Sequence, residues 1–561
     1  MRPLRLSPAP PAERAPSLAR ATTAPPRPRA ADLRARAARF PAAAAALGRR
    51  LRPLADRPAV LVAGVLVLMA LSAFLRSRAI GASFWIDEGI AVGIASFPLT
   101  EIPTVLRQDG APPLYYLLLS VWMDVIGSGE EQTHALSLGI AILTVPAALW
   151  AGRSLFDTRT GWMAAVVAAL QPFLTYYAQE TRMYALVALL TLLLGAVFVH
   201  AFVDRRRGYL PAFAVLLATL LYTHNWALFV GVGAAAALGP VWQASADRRG
   251  LLRDAALGFG GAALLFAPWV PNLVFQALNT GAPWATVPTF GELTSGLGFA
   301  FGGTVSALVI LLVGGVGFAA ILEARGEGDP RLRRRWNAAL ALLVLAGGTV
   351  LAAWLASQVS PAWANRYMAV AAGPGILIAA IGLAHARRLG MVALAILAVL
   401  WFEPRIGAIE GKDNTRQVAT SVQYRPVGEG DLVVSPHPER IPLLHYYMGE
   451  QFRYATSLGP VADPRVFDWR EALERLEDAR PTPTSDPLIE SLESGQALIL
   501  VQPIIRTTSW RAPWTALVRR RVAQWEEVLD TDPRLRRSEA LPEFGFKPLP
   551  RGIRTVIYRK R

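Results

Sequence analysis

Eleven long apolar runs constrain this chain more than any other feature of its sequence. A helix of about 17 to 25 apolar residues matches the thickness of a bilayer core. The runs begin near Pro58, Ala135, Gly161, Ala185, Tyr209, Trp226, Ala255, Leu293, Trp336, Tyr367 and Gly390. Because 53% of the 561 residues are hydrophobic and only 17% are charged, we predict a mainly α-helical multi-pass protein of the cell membrane, surrounded by lipid, with about eleven spans.

The formal charge of +16 does not indicate nucleic-acid binding, because the basic residues are not gathered on a binding element. Only three of the 57 are lysines, and many arginines lie in residues 1–57 or in short loops between apolar runs. Arginine in short loops is typical of the charge bias that orients membrane proteins. The chain has no cysteine, so disulfides and thiolate metal sites are excluded.

Composition divides the chain into three predicted regions. Residues 1–57 are rich in Arg, Pro and Ala and are predicted to be a disordered cytoplasmic tail. Residues 58–405 contain the spans and form a membrane domain with a first outer loop at residues 76–134. Residues 406–561 are mixed and charged, and they alternate short apolar strands with helical patterns. That alternation predicts an α/β domain outside the cytoplasm.

Three strands and two helices are predicted in this last region. The strands are residues 431–436, 497–503 and 554–560, and the helices are residues 468–479 and 513–529. No glycine-rich phosphate loop of the GxGxxG or GxxxxGK type is present, so nucleotide binding has no support.

The stretch PPLYYLLLSVWMDVIG, residues 112–127, decides the topology. It is as long as a span, but it opens with two prolines and contains Asp124. If it lies along the outer interface, fifteen loop arginines fall inside and only five outside, namely Arg76, Arg78, Arg107, Arg182 and Arg366. If it crossed, the later loops would invert and the bias would be reversed. We therefore predict a cytoplasmic N-terminus and an extracytoplasmic C-terminus.

This topology brings polar groups from five segments to one outer rim. They are Asp87 with Glu88, Asp109, and residues 176–184, 223–226 and 365–367. Ionisable groups at membrane depth are costly unless they are paired or used, so the rim is predicted to be a site.

General-base catalysis is one use of such a rim. Asp87 would take the proton of an acceptor hydroxyl, since aspartate is normally ionised at neutral pH. Arg182 and Arg366 would hold a phosphate by bidentate hydrogen bonds. A carboxylate near the acceptor and guanidinium groups near a leaving phosphate suit the transfer of a sugar. The donor is expected to be a phospholipid carrier, because no nucleotide sugars are available outside the cytosol.

Four motifs in order resemble those of the GT-C superfamily glycosyltransferases. They are FWIDEG (residues 84–89), DGAPPLYYLLLSVW (109–122), YYAQETRMYAL (176–186) and SPAWANRYMAV (360–370). The branch they resemble contains protein mannosyltransferases and aminoarabinose transferases, in its bacterial glycosyltransferase family 39 form. The resemblance covers roughly residues 58–388 and implies a GT-C transmembrane catalytic domain.

The resemblance also implies roles for single residues. Asp87 matches the catalytic base. Glu88, its acidic neighbour, is predicted as a second catalytic residue, with a purely structural pair as the alternative. Seven further rim residues are predicted to bind the donor or another substrate, namely Asp109, Glu180, Arg182, Tyr184, His224, Arg366 and Tyr367. Many relatives have a histidine just before PPL, but here it is Ala111. A divalent metal between that loop and His224 is therefore not favoured, and we predict that no metal or other cofactor is required.

Structural alternatives stand beside these roles. Asp109 is equally well explained as a helix N-cap, and His224 about as well as a packed interfacial histidine. For Glu180 and Arg182 a structural pair is the alternative, and a role in the site is favoured over it.

The sequence thus predicts a glycosyltransferase that moves a sugar, with mannose favoured, from a polyprenyl-phosphate donor to an outer-face protein, lipid or polysaccharide. Arabinose and aminoarabinose remain open. The alternatives are a transporter or flippase of lipid-linked sugars, and an inactive scaffold that presents the C-terminal domain.

Overall fold

Helices fill the chain from Pro58 to Phe402, and a mixed β-sheet with flanking helices follows them. A computed structural model describes residues 57–326, 329–402, 406–504, 511–541 and 552–561. Val62–Arg561 packs as one compact unit. The predicted tail of residues 1–57 lies outside the described residues, except for Arg57.

The helices of the first part vary from 6 to 30 residues. They are α1 (Pro58–Arg76), α2 (Ile86–Ala95), α3 (Ile102–Asp109), α4 (Leu114–Ile126), α5 (Glu130–Leu155), α6 (Thr158–Leu170), α7 (Pro172–Tyr177), α8 (Tyr184–Phe198), α9 (Leu210–Thr223), α10 (Ala227–Ala244), α11 (Arg248–Phe266), α12 (Val270–Asn279), α13 (Phe290–Ala300), α14 (Thr304–Arg325), α15 (Pro330–Val359), α16 (Ala369–His385) and α17 (Arg387–Phe402). A π-helix at Val199–Val203 extends α8, and short 3-10 helices lie at Arg207–Tyr209, Ala267–Trp269 and Asn365–Met368.

Eight helical segments among the described residues are long and apolar enough to cross a membrane. They are Pro58–Arg76, Glu130–Leu155, Tyr184–Val203, Ala227–Ala244, Arg248–Asn279, Thr304–Arg325, Pro330–Val359 and Asn365–His385. The spans predicted near Gly161, Tyr209 and Gly390 are also helical, but α6, α9 and α17 have only 13, 14 and 16 residues. The predicted multi-pass helical fold is confirmed.

Large apolar side chains on several spans point away from the protein. Val67 on α1, Leu264 on α11 and Leu312 on α14 are all more than half exposed. Only a surrounding apolar medium leaves such a surface without cost, so these faces are suited to contact lipid tails.

The ambiguous stretch at residues 112–127 contains α4, which has 13 residues. At about 1.5 Å per residue it is roughly 20 Å long, shorter than a bilayer core of about 30 Å. Tyr115 and Tyr116 are buried against the protein, whereas Val121 and Val125 are exposed. This length and this apolar outer face agree with a helix that lies along the membrane surface.

The span predicted from Leu293 is divided in two. Helix α13 ends at Ala300, and the membrane-crossing helix α14 begins only at Thr304. Between them Gly302 and Gly303 have φ values of +83° and +112°, a left-handed backbone that favours glycine and ends a helix. The predicted start is therefore corrected from Leu293 to Thr304.

Arg76 is predicted to be an outer loop charge, and this prediction is wrong. It is the last residue of α1 and is fully buried. Its guanidinium donates to the carbonyl oxygen of Ala141 at 2.7 Å and to that of Ala168. Because these carbonyls belong to α5 and α6, Arg76 ties three helices together.

The C-terminal part is an α/β layer, as predicted. Its elements are α18 (Ile406–Glu410), α19 (Thr415–Gln423), β1 (Leu432–Ser435), a 3-10 helix at Pro438–Arg440, α20 (Ile441–Met448), β2 (Arg453–Thr456), β3 (Gly459–Pro460), α21 (Ala472–Asp478), α22 (Pro481–Glu490), β4 (Ala497–Pro503), α23 (Pro513–Thr531), β5 (Leu535–Leu541) and β6 (Ile553–Lys560). The sheet order is β3-β2-β1-β4-β6-β5.

The centre of this sheet is parallel and its flanks are antiparallel. Strand β1 pairs in parallel with β2 and β4, so that Val433 lies opposite Tyr454 on one side and Ile499 on the other. The other pairs, β2–β3, β4–β6 and β5–β6, are antiparallel. Strands β1 and β4 are buried on both faces, which explains their continuous apolar sequence.

Helix α2 packs closely against the C-terminal part. A Cβ on Gly89 would lie 2.7 Å from the Cα of Leu443, and one on Gly93 would lie 2.0 Å from the carbonyl oxygen of Arg465. The Tyr447 hydroxyl accepts from the backbone N–H of Phe84 and donates to the Glu130 carboxylate, each at 2.7 Å. These contacts fix the helix that carries Asp87.

Candidate active site

Asp87 lies in the first turn of α2, where the helix dipole favours a carboxylate. Its Oδ2 is 3.6 Å from Nε of Arg366, and its side chain is 20% exposed. The Arg366 guanidinium lies over the rings of Trp284 and Tyr367, at 4.9 Å and 5.3 Å from the ring centres. Asp87 is therefore an accessible carboxylate beside a cation held by aromatic rings.

Glu88, one residue later, is fully buried and saturated with hydrogen bonds. Its Oε1 accepts from the backbone N–H of Thr181 at 2.7 Å and lies 2.6 Å from Nε2 of His134. Its Oε2 accepts from Nζ of Lys412 at 2.7 Å. Burial alone would raise the pKa of Glu88, but Lys412 and His134 lower it to about 2. The carboxylate is thus held as an anion inside the protein.

Arg182 connects Asp87 to Asp109. Its Nη1 donates to the backbone carbonyl of Asp87 and to the Tyr116 hydroxyl, each at 3.3 Å. The Tyr116 hydroxyl in turn donates to Oδ2 of Asp109 at 3.3 Å. Burial raises the pKa of Asp109 to about 6, and Arg182 and Tyr116 limit the rise. Asp109 is the last residue of α3, so the N-cap alternative does not describe its position.

Glu180 is also buried, in the turn before α8. Burial and the nearby charge of Glu88 raise the pKa of Glu180 to about 7. Arg182 makes its hydrogen bonds to Asp87 and Tyr116, and no ion pair within 4 Å joins it to Glu180 in the described part of the chain.

Three more predicted residues form an aromatic wall. The Tyr367 ring lies 4.8 Å from the His224 ring and 6.4 Å from the Tyr184 ring, centre to centre. His224 Nδ1 accepts the backbone N–H of Trp226 at 3.0 Å. Burial, with the charges of Arg182 and Arg366, lowers the pKa of His224 to about 3, so its imidazole is neutral. All nine predicted site residues thus lie in one connected cluster.

A cavity of about 340 Å³ opens beside this cluster. The membrane part contributes Trp85, Asp87, Trp284 and Arg366 to its walls, and the C-terminal part contributes a further set. That set includes His437, Glu439, Trp469 and Trp514. Of the nine predicted residues, only Asp87 and Arg366 line this cavity.

No group of three or more His, Asp or Glu side chains is arranged to hold a metal ion within residues 57–326, 329–402, 406–504, 511–541 and 552–561. His224 uses one ring nitrogen on its own backbone turn, and Ala111 offers no ligand. That no metal is required stays a prediction.

Sequence reasoning missed His134 and Lys412 in the cluster and His437 and Glu439 in the cavity wall. Lys412 carried a usable signal, because it is one of three lysines in an arginine-rich chain. The other three give no local signal, since they reach the site only through the packing of α5 and of the C-terminal sheet.

Comparison with known proteins agrees with this architecture. No family model and no curated protein matches the chain by sequence. Among solved structures, ArnT from Cupriavidus metallidurans in the apo state is similar at a TM-score of 0.55 and 14% identity, over 79% of this chain and 93% of that one. ArnT bound to undecaprenyl phosphate gives a TM-score of 0.54 at 13% identity, over 89% of this chain and 97% of that one.

Two further structures share the fold. The oligosaccharyltransferase of Archaeoglobus fulgidus in the apo form has a TM-score of 0.52 at 13% identity, over 81% of this chain and 72% of that one. The mycobacterial arabinofuranosyltransferase AftD has a TM-score of 0.51 at 14% identity, over 88% of this chain and 40% of that one.

The chain is a multi-pass membrane protein with the fold of the GT-C superfamily glycosyltransferases. The GT-C resemblance read from its four motifs is confirmed at the level of the fold.

Proposed function

We propose that this protein is a membrane glycosyltransferase that moves a sugar from a polyprenyl-phosphate donor to a hydroxyl-bearing acceptor, with Asp87 as the general base. The observation that carries the proposal is the contrast between two adjacent carboxylates. Asp87 lines the cavity beside Arg366, whereas Glu88 is sealed in a network with His134 and Lys412. Of these two carboxylates, Asp87 is the one that lines the cavity.

The proposed reaction is a single displacement. The acceptor hydroxyl gives its proton to the Asp87 carboxylate as its oxygen forms a bond to the anomeric carbon. The bond from that carbon to the phosphate oxygen breaks, and polyprenyl phosphate leaves with the electron pair. Direct attack from the face opposite the leaving group inverts the anomeric configuration.

Arg366 is proposed to bind the donor phosphate, and Arg182 is proposed to support Asp87. Arg366 lies at the cavity wall with its guanidinium against aromatic rings, which leaves hydrogen-bond donors for a phosphate. Arg182 supports the backbone of Asp87 from the other side. An ArnT structure that contains undecaprenyl phosphate supports a carrier of this class. Mannose is our favoured sugar, and the similarity to an arabinofuranosyltransferase keeps pentoses as alternatives.

Glu88 is proposed to position Asp87 rather than to react. Its carboxylate binds a backbone N–H of the turn at residues 178–183 and a lysine of the C-terminal part. Because Glu88 follows Asp87 directly, these bonds fix the first turn of α2. We further propose that the site and the C-terminal part face away from the cytoplasm, as the arginine distribution predicts.

A transporter of lipid-linked sugars is the second candidate, and the experiment that separates the two follows the glycosidic bond. Membranes from cells that express the protein receive polyprenyl-phosphate mannose or arabinose labelled in the sugar. A transferase places the label on an endogenous acceptor and releases polyprenyl phosphate. A transporter leaves the labelled lipid intact, and that result with both donors would reject the proposal.

The inactive-scaffold alternative predicts rim residues that do not converge. The contacts among Asp87, Arg182, Arg366 and Tyr367 favour a working site over it.

A further inference from the structure

The wall of the cavity that faces Asp87 is built by the C-terminal part, and none of the sequence motifs accounts for it. Glu439 lies in the short 3-10 helix after β1, and His437 directly precedes that helix. Both are at least nine-tenths buried, at 6% and 9% exposure, and both line the cavity. The transfer chemistry of Asp87 does not require either of them.

Two buried polar atoms of this wall lack a hydrogen-bond partner among the described residues. Oε1 of Glu439 accepts from Nε1 of Trp514 and lies beside Nε2 of His437, each at 2.7 Å. Oε2 of Glu439 and Nδ1 of His437 have no hydrogen-bond partner among the residues that the structure describes. An unpaired buried carboxylate oxygen is costly, and a hydroxyl group from a ligand would remove that cost.

Aromatic rings flank these polar atoms. Trp469 and Trp514 lie 5.3 Å apart between ring centres, and Trp514 is buried while Trp469 is partly exposed. Trp85 and Trp284 line the membrane side of the same cavity. The partly exposed rings of Trp469, Trp85 and Trp284 offer apolar area to the C–H faces of a sugar ring, while the carboxylate of Glu439 accepts from its hydroxyls.

The charges of the cavity disfavour an anionic ligand on this side. Four carboxylates and three arginines line it. Arg366 lies beside Asp87 at 3.6 Å, and Arg440 donates to Asp413 at 2.9 Å. The third arginine, Arg511, is exposed. Glu439 has no arginine or lysine within 4 Å in the described part of the chain, so its unpaired Oε2 would repel an anionic group beside it.

We propose that His437, Glu439, Trp469 and Trp514 form an acceptor subsite for a neutral glycan. The inference rests on the proposed function, because it assigns the acceptor to the cavity whose other wall carries Asp87. A peptide or a lipid headgroup, which the sequence left open as acceptors, is then not the preferred substrate.

Saturation-transfer NMR on the full chain in nanodiscs tests the subsite. The probes are methyl α-mannoside and methyl α-galactoside, with glucuronate and an acetylated Ser/Thr peptide for comparison. We expect wild type to bind at least one neutral glycoside and neither comparison probe. Trp469→Ala and Glu439→Ala should each weaken that binding roughly tenfold or more, while the exposed Glu474→Gln leaves it unchanged. Trp469→Ala is included because it tests the same subsite at a partly exposed position, whereas Glu439 is buried and its substitution can impair folding. The melting temperatures of both variants are first compared with that of wild type.

Absence of glycoside binding to wild type, binding of the peptide or glucuronate in preference, or unchanged binding in both variants would each overturn the subsite. Undecaprenyl phosphate titration separates this failure from that of the proposed function. Glu439→Ala should retain donor-lipid affinity, whereas Arg366→Ala should lose it. Loss of glycoside binding with intact lipid binding supports the subsite even if Asp87 proves to have another role.

Discussion

At the scale of single residues, Asp87 and Glu88 show how a helix separates two identical functional groups. Successive residues in an α-helix project about 100° apart, so one carboxylate faces the cavity and the next faces the protein interior. Asp87 is left accessible beside Arg366, and Glu88 is enclosed by His134, Lys412 and Thr181. The interior carboxylate is held by Lys412, the one lysine of the site among the residues that the structure describes.

Lys412→Met should destabilise the protein by about 3–5 kcal/mol, because it leaves the Glu88 anion buried with its main counter-charge removed. The double variant Glu88→Gln/Lys412→Met removes both charges and keeps an oxygen that accepts from Thr181. The melting temperature of the double variant should be closer to that of wild type than the melting temperature of Lys412→Met is. Thermal unfolding in detergent measures both, and a double variant no more stable than Lys412→Met would contradict the pairing.

Glu180 should make stability depend on pH. It loses its proton near pH 4.5 in the unfolded chain but only near 7 in the folded protein, where burial and Glu88 raise its pKa. The folded state therefore binds more protons between these values, and stability falls as the pH rises from 4.5 to 7. Glu180→Gln should raise the melting temperature at pH 8 and leave it nearly unchanged at pH 4.5. An equal effect at both pH values would show that Glu180 is not protonated near neutrality.

Sequence reasoning reached the residues whose motif and topology agree. Asp87, Arg182 and Arg366 were predictable because each lies in one of the four motifs and next to a span predicted to end at the same membrane face. The positions of Glu439 and His437 in the site were not predictable, because they depend on how the C-terminal sheet packs against the spans. Lys412 lies 324 residues from its partner Glu88, a pairing that no local pattern encodes.

At the scale of elements, α2 is the part on which the site depends. It contacts α20 through Gly89 and the segment around Arg465 through Gly93. Both contacts need the absence of a side chain. The helix is short, at ten residues, so its orientation comes from this packing rather than from its own stability.

Gly93→Ala should displace α2 or the segment at Arg465, because the added Cβ would lie 2.0 Å from a backbone oxygen. We expect a loss of about 1–3 kcal/mol in stability and a fall in transfer activity. Gly139→Ala in α5 is the matched control, since no atom lies within 4 Å of its Cβ position. Equal melting temperatures for the two variants would argue against the close contact.

The long apolar elements were predictable, and their interruptions were not. The break before α14 depends on the left-handed conformation of Gly302 and Gly303, and many glycines elsewhere in the spans are helical. Strands β2 and β3 have only four and two residues, too short for an alternating pattern. Strand β5 is mostly polar, because one face of this edge strand is exposed.

At the scale of the whole molecule, a lipid-linked donor requires that the C-terminal part and the cavity lie on the side away from the cytoplasm. Since the chain has no cysteine, single cysteines report orientation without background. Glu429→Cys, on an exposed turn of the C-terminal part, should react with a membrane-impermeant maleimide in intact cells. Arg249→Cys, exposed at the start of α11, should react only after permeabilisation. The reverse pattern would place the cavity in the cytosol and remove the argument for a lipid-linked donor.

In the proposed reaction, a carboxylate oxygen of Asp87 takes the proton of the acceptor hydroxyl. Asp87→Asn keeps the size of the side chain and one acceptor oxygen but cannot take a proton at neutral pH. Turnover of a polyprenyl-phosphate sugar by the purified variant in nanodiscs, with membrane extract as the acceptor source, should fall by about 10²–10⁴-fold while affinity for undecaprenyl phosphate changes little. Wild-type turnover by Asp87→Asn would show that the proton goes elsewhere.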